Sequence, residues 1–299
     1  MNWRKRNVRT SVIALWIIGI TALVLVLVSV FSQGKDYSVI TSDGVGYYSY
    51  LPNLFQTNSL SSQVPDNRFI VDIEGKGVNK YYVGTALSMS PFYALGKLFS
   101  SNDTSGFTLS CQIAISFSGI FYLILGLVFT QKLLRLFQFS ETVIFITLLA
   151  LFFGTNLMVY SVFQPSMSHI YSFCWIAGFV LSSKKYVQTV TAKYLYLSVA
   201  CLAILILVRP INGIVVFLIP FIVGSGQGTK LYFFSFCLTM SFSSSAINRF
   251  GLALKSEKTK KYEIKYYDLH DMKEIGKQNV DNTFSNILNE YFNETDLPF

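Results

Sequence analysis

The sequence predicts an all-α fold, a polytopic membrane bundle of about seven transmembrane helices with interfacial helices in its first outer loop. Three observations predict this class. The chain of 299 residues is 52% hydrophobic. Only 13% of its residues are charged, whereas a soluble domain carries about 25%. Runs without Asp, Glu, Lys or Arg recur along the chain, and roughly 20 such residues cross a bilayer as a helix.

The uncharged runs are the candidate spans. They lie at 12–31, 109–130, 143–162, 166–183, 194–208, 211–224 and 231–247. The fifth and sixth runs are short and are separated by Arg209-Pro210. They are consistent with two steep helices, with a hairpin that does not fully cross, or with one broken helix.

Basic residues in the short connections predict the orientation of the spans. If the spans alternate in direction, one side of the membrane carries the basic residues before the first run and after the second, fourth and sixth runs. Because basic residues favour the cytoplasmic side, the N-terminus is predicted to be cytoplasmic. These residues are Arg4, Lys5, Arg6, Arg9, Lys132, Arg135, Lys184, Lys185, Lys193 and Lys230. The expected location is the bacterial inner (plasma) membrane. The first run is too long for a signal peptide and lacks a cleavage site, so it is expected to remain as a helix.

Two domains are expected: a transmembrane module at 1–247, with an outer loop at 32–108, and a polar tail at 248–299 that is partly helical or disordered. Seven spans place the tail outside, but its basic first part favours the cytoplasm. Within the outer loop, 47–60 and 80–99 are expected to be interfacial helices. The polar stretch 61–79 between them is expected to contain at most one hairpin.

Several classes of function lack support. The net charge of +8 is spread along the chain, which argues against a nucleic-acid partner and suits an anionic membrane surface. All four cysteines fall in predicted spans, which favours packing over disulfides or zinc binding; they are Cys111, Cys174, Cys201 and Cys237. No Walker-type phosphate loop, dinucleotide-binding glycine motif or HExxH motif is present.

A carboxylate follows the first span. The segment Ser42-Asp43-Gly44 is followed by an aromatic stretch that begins with Tyr47 and Tyr48. Asp36 lies closer to the span and is the competing carboxylate. A carboxylate held just outside a bilayer can act as a base towards a lipid-linked substrate, while the tyrosines are also typical of simple anchoring at the headgroups.

The layout of the chain resembles the GT-C superfamily of polytopic glycosyltransferases over about residues 1–225. The shared features are a basic N-terminus, one span, an outer loop that opens with an acidic motif, two interfacial helices and further spans. The family's motif often has two adjacent acids, whereas here Gly44 takes the second place. Further segments that resemble bacterial members are Asn79 to Gly84, Ser90 to Phe92, Gly154 to Asn156, Gln164 to His169 and Arg209 to Asn212.

This resemblance implies inverting transfer of a sugar from a polyprenyl-phosphate donor to an envelope acceptor on the outer face. Asp43 is then the catalytic base, and Lys80 and Arg209 are candidates to bind the phosphate. The substrate-binding candidates are Tyr47, Tyr48, Lys80, His169 and Arg209.

Other interpretations of these residues stay open. Arg209 also fits simple snorkelling to the headgroups, and His169 fits a packing role. The implied partners are a lipid-linked sugar donor and membrane lipids. No cofactor is certain, although Asp43 with Asp36 is a possible start of a divalent-cation site. The alternative functions are a membrane transporter or flippase, and a non-catalytic scaffold of cell-envelope polysaccharide synthesis.

Overall fold

The computed structural model describes residues 3–54, 69–73, 76–100, 106–219, 221, 263–267 and 274–279. The predicted span at 231–247, with Cys237, lies outside the described residues, as does most of the tail. The chain divides into two compact units, Met1–Ile247 and Asn248–Phe299.

The first unit is mostly helical. Its α-helices are α1 Trp3–Gln33, α2 Asp43–Tyr48, α3 Tyr50–Pro52, α4 Gly84–Leu98, α5 Leu109–Leu136, α6 Glu141–Phe153, α7 Ser168–Thr189 and α8 Ala192–Val208. One antiparallel hairpin, β1 Ile70–Ile73 with β2 Lys76–Asn79, precedes α4. It lies in the stretch where the sequence allowed for a hairpin, and α4 occupies the second expected interfacial segment.

The described part of the second unit is a hairpin, in a tail that the sequence predicted to be partly helical or disordered. Strand β3 Glu263–Tyr267 pairs antiparallel with β4 Glu274–Asn279. The β3 sequence, Glu-Ile-Lys-Tyr-Tyr, is rich in β-branched and aromatic residues, which favour strands. The hairpin of β3 and β4 is β-structure that the sequence did not predict.

Two described helical segments are long and apolar enough to cross a membrane, Thr10–Asp36 and Leu109–Leu136. In α1 both faces are apolar. One face is buried against the other helices, while the opposite face exposes Trp16, Ile20, Val24 and Val28. A helix that is hydrophobic on all sides is found in a protein core or in a membrane. In α1 the second apolar face is exposed and does not pack in the core.

Helix α5 is the centre of the bundle, since α1, α4, α6 and α7 all contact it. Small residues allow close approach: a Cβ at Gly119 would lie 2.3 Å from the Ser161 carbonyl oxygen, and one at Gly126 2.6 Å from the Phe173 ring. Small residues at helix contacts are typical of membrane bundles. Cys111, Cys174 and Cys201 are buried and free.

The third and sixth predicted spans differ from continuous helices. Helix α6 ends at Phe153. The helical backbone resumes at Leu157 and continues as a π-helical turn, Val159–Phe163. After α8, Arg209 is extended, because the residue before a proline disfavours the helical region. A 3-10 helix, Pro210–Leu218, then packs back on α8, so this region is a hairpin of helices and not a single broken helix.

A polar cluster joins the N-terminal part of α1 and the start of α6 to the end of α5. The Arg135 guanidinium donates to Glu141 at 2.7 Å and to the Ser11 hydroxyl at 2.9 Å. The Ser11 hydroxyl also accepts from the Gln131 amide at 2.9 Å and donates to Glu141. These four side chains lie at the end of the bundle opposite to Asp43, which follows the other end of α1.

This cluster predicts an acid-sensitive step in stability. Burial opposes ionisation of Glu141, but hydrogen bonds from Arg135 and Ser11 outweigh it and lower the pKa of the carboxyl below its ordinary value of 4.5. A lowered folded-state pKa means that Glu141 stabilises the fold above the unfolded pKa, and that this contribution disappears as the pH falls through the folded pKa. Glu141→Gln is therefore expected to lower the melting temperature at neutral pH and to lose less stability on acidification.

Thermal unfolding of the purified protein in detergent, at pH 7 and in the acid range, measures this effect. Arg135→Gln removes the partner charge and should reproduce the loss at neutral pH. An equal loss on acidification in the native protein and in Glu141→Gln would contradict the prediction.

Candidate functional site

The loop before Asp43 is fixed to the bundle by its backbone. The side-chain oxygen of Gln112, on α5, accepts hydrogen bonds from the backbone N–H groups of Val39 at 3.0 Å and Ile40 at 3.1 Å. The Ser166 hydroxyl donates to the Val39 carbonyl at 2.8 Å. Because Gln112 and Ser166 are buried, these bonds hold the loop at one place on the helices.

The turn into α2 is tight. Ser42 has φ 49° and ψ −137°, a conformation that non-glycine residues rarely adopt and that is often found at functional sites. A Cβ at Gly44 would lie 2.0 Å from the Ser166 hydroxyl oxygen. The close contact with Ser166 therefore leaves no room for a second acid at residue 44.

Tyr81 holds the Asp43 carboxylate. Its hydroxyl donates to Asp43 Oδ1 at 2.6 Å. Burial, with a smaller contribution from the hydrogen bond to Asp43, raises the pKa of the Tyr81 hydroxyl, so the phenol stays protonated and remains a donor. The Tyr81 ring contacts Tyr47, with centroids 4.6 Å apart, and lies where a side chain at Gly46 would be.

Lys80 and Asn79 complete a first group of residues, which surrounds Tyr81. The Lys80 ammonium lies 5.4 Å from the centroid of the Tyr81 ring and is exposed. The buried Asn79 amide donates to the Gly46 carbonyl at 2.6 Å. The segment 79–81 thus packs on α2, and Asp43, Tyr47 and Lys80 all surround one tyrosine.

His169 and Arg209 form a second group. The His169 ring stacks on Tyr160, with centroids 4.0 Å apart, and its imidazole is close enough to Arg209 for an electrostatic interaction. One turn along α7, the Ser172 hydroxyl accepts from the Asn212 amide at 2.9 Å. Both His169 and Arg209 are half-buried.

Two close contacts connect the groups. Gly44 meets Ser166, which lies just before α7 and His169. A Cβ at Gly84, at the start of α4, would lie 2.2 Å from the Leu207 carbonyl carbon, next to Arg209. Four segments that are separate in sequence therefore meet at one end of the bundle. They are the acidic segment around Asp43 and the residues 79–84, 164–169 and 209–212.

Tyr48 is a correction to the expected set. Its side chain is fully buried, its hydroxyl donates to the Gly106 carbonyl at 2.5 Å, and its ring packs edge-on against Tyr93 and Phe107. Since its ring and hydroxyl are both engaged in the interior, Tyr48 stabilises the fold of the loop between α1 and α5 and does not present a surface to a ligand.

Asp36 lies in a different turn from Asp43. It lies in the 3-10 turn Gly34–Asp36 and is exposed. Within the part of the chain that the structure describes, no group of three His, Cys, Asp or Glu side chains lies close enough together to hold a metal ion.

Three positioning residues were missed from sequence. Gln112 carried a signal, because an amide within an uncharged span has to find partners. Ser166 and Tyr81 lie in segments that were noted, but their contacts with Gly44 and Asp43 depend on the tertiary fold. Comparison with protein-family models, curated proteins and solved structures finds no match for this chain.

Proposed function

We propose that this protein is an integral-membrane glycosyltransferase of the GT-C type, which transfers a sugar from a polyprenyl-phosphate donor to an envelope acceptor on the outer face of the bacterial inner membrane. One observation carries the proposal: an exposed carboxylate, Asp43, is held by Tyr81 at the end of an apolar helix bundle where Arg209 also lies. A base and a cation at the same end of an apolar bundle suit a reaction between a lipid-linked donor and a water-soluble acceptor.

The membrane setting belongs to the proposal as well. It includes about seven spans and a cytoplasmic N-terminus. Support comes from the outward apolar face of α1 and from the positions of the basic residues. Lys184 and Lys185 lie near the end of α7, and Lys193 at the start of α8, on the same side as the Arg135 cluster. Basic residues on one side are typical of the cytoplasmic face.

The proposed chemistry uses residues of both groups. As an acceptor hydroxyl attacks the anomeric carbon, Asp43 takes its proton. The new glycosidic bond forms while the bond from the anomeric carbon to the phosphate oxygen breaks. The leaving polyprenyl phosphate keeps that electron pair, and the cations Arg209 and Lys80 stabilise its negative charge. The half-buried His169 lies beside Arg209 and is available to contact the donor.

Membranes that contain the protein test this function. They are supplied with labelled sugar on polyprenyl phosphate and with envelope acceptors, and label in the acceptor is measured against membranes that lack the protein. Reconstituted vesicles without acceptor provide the second arm. Movement of the lipid-linked sugar across these vesicles, with no transfer in the first assay, would replace the proposal with a flippase.

Tyr81→Phe is expected to lower transfer by roughly tenfold or more, the equivalent of one hydrogen bond to a charged group. The ring and its contact with Tyr47 remain, so the protein should still fold. Tyr82→Phe is the matched control, since Tyr82 is the neighbouring tyrosine and is 53% exposed. Equal transfer rates in the two variants would show that the hydrogen bond to Asp43 does not matter.

A further inference from the structure

The end of the bundle opposite to Asp43 carries two neighbouring lysines that are held by aromatic rings of other elements. The Lys184 ammonium lies 4.8 Å from the centroid of the Phe137 ring, which directly follows α5. The Lys185 ammonium lies 5.1 Å from the centroid of the Tyr194 ring, on α8. Because a cation is attracted to the face of an aromatic ring, each of these flexible side chains has a preferred position, one towards α5 and the other towards α8.

The positive charge at this end exceeds the negative charge available to balance it. Lys193 lies in the first turn of α8, which contains no acidic residue. Over residues 106–219 the sequence holds one carboxylate side chain, Glu141, and this group pairs with Arg135. Within that described range, no carboxylate therefore remains to pair with Lys185 or Lys193, and an anion from outside the chain would satisfy them.

Apolar and aromatic side chains are exposed at the same end. Phe139 is exposed just before α6, Val190 is 66% exposed at the end of α7, and Tyr196 is 70% exposed on α8. Lysines beside exposed rings are typical of the headgroup region of a bilayer, where the ring and the lysine stem contact acyl chains and the charge reaches the headgroups. An acidic soluble protein would match the charge but not the exposed apolar side chains, so a lipid surface fits this end better.

We propose that this end of the bundle, formed by the turn between α5 and α6 and the turn between α7 and α8, binds the phosphate headgroups of anionic phospholipids. Lys185 and Lys193 contact the phosphate oxygens, while the exposed aromatic side chains lie against the acyl chains. Lysines next to a membrane attract anionic lipids, and here the aromatic partners of Lys184 and Lys185 hold the charge in place. The inference rests on the membrane setting of the proposed function and adds a lipid partner at the end away from the proposed chemistry.

Thermal unfolding of the full-length protein in non-ionic detergent, with added dioleoyl phosphatidylglycerol or dioleoyl phosphatidylcholine, tests this surface. A ligand that binds the folded state raises the melting temperature as its concentration increases. Phosphatidylglycerol is expected to bind at least about tenfold more tightly than phosphatidylcholine, and this preference should decrease at high salt, which screens exposed charges. The double variant Lys185→Gln, Lys193→Gln is expected to bind phosphatidylglycerol about tenfold more weakly or less.

Lys35→Gln combined with Lys97→Gln is the matched control, because it removes two cations from the other end of the bundle. Lys35 lies in the turn Gly34–Asp36, and Lys97 lies in the last turn of α4. Phosphatidylglycerol affinity should stay at the native value in this control. Unchanged affinity in the variant of Lys185 and Lys193 overturns the proposal.

The native protein gives a second decision, which holds even if the double variant fails to fold. Equal stabilisation of the native protein by the two lipids overturns the proposal. Stabilisation by soluble polyglutamate, with no preference for phosphatidylglycerol, also overturns it and assigns the surface to an acidic protein.

Lipid binding and sugar transfer separate the two proposals. A preference for phosphatidylglycerol that depends on Lys185 and Lys193, in a protein that transfers no sugar, supports the lipid surface and rejects the glycosyltransferase. Sugar transfer by a protein that binds both lipids equally rejects the lipid surface alone.

Discussion

Asp43→Asn is expected to lower sugar transfer in membranes by a factor of about 10²–10⁴, the usual contribution of a general base. Asparagine has nearly the same shape, and its side-chain oxygen can still accept the hydrogen bond that Tyr81 donates to Asp43 at 2.6 Å. Only the ability to take a proton is lost. The amount of folded protein should therefore stay the same while the rate of transfer falls.

Asp36→Asn is the matched control for this variant. Asp36 is another exposed carboxylate of the same outer loop, and it lies in a different turn, Gly34–Asp36. Transfer should be unchanged in Asp36→Asn. Full transfer by Asp43→Asn would remove Asp43 as the base, and a loss confined to Asp36→Asn would move that role to the other carboxylate.

Gly84→Ala is expected to destabilise the protein by about 1–3 kcal/mol or more, the range for added volume at a tightly packed contact. Its Cβ would lie 2.2 Å from the Leu207 carbonyl carbon and 2.3 Å from the Val208 nitrogen. These are backbone atoms, so no side-chain rotation relieves the clash and α4 has to move away from α8. Arg209 follows directly after this contact, so transfer should fall as well.

Thermal unfolding in detergent measures the loss of stability. Gly19→Ala is the control, since a Cβ there would meet only the end of the Ile124 side chain, at 3.5 Å, and alanine is a better helix former than glycine. Gly19→Ala should melt at the native temperature or above it. Similar melting temperatures for both variants would mean that the contact between α4 and α8 can relax at little cost.

The sequence predicted the helices best where hydrophobicity alone decides them. The runs at 12–31 and 109–130 fall within α1 and α5, because a long apolar segment has few conformations that satisfy its backbone groups without water. Prediction was poorer at 143–162 and 211–224. There the composition is equally apolar, but Gly154 follows the end of α6 and Arg209-Pro210 breaks the chain after α8. Hydropathy does not report such breaks.

In the candidate site too, some features could be predicted from the sequence and others could not. Asp43, Lys80, His169 and Arg209 were chosen because charged or titratable side chains beside apolar runs need a reason to be there. Tyr48 was chosen for its aromatic character, but it is a core residue. An aromatic residue next to a turn packs inward or faces a ligand according to its neighbours, and for Tyr48 those are Tyr93 and Phe107.

By itself, the sequence determined a mostly helical chain with apolar segments of membrane-spanning length and a carboxylate just after the first of them. These properties follow from local composition and spacing. Only the tertiary structure decided that Tyr81 holds Asp43, that Ser166 occupies the space beside Gly44, and that Asn212, close to Arg209 in sequence, bonds to Ser172 of α7. The physical reason is that hydrogen bonds and close backbone contacts join residues far apart in the chain, and these depend on how the helices pack.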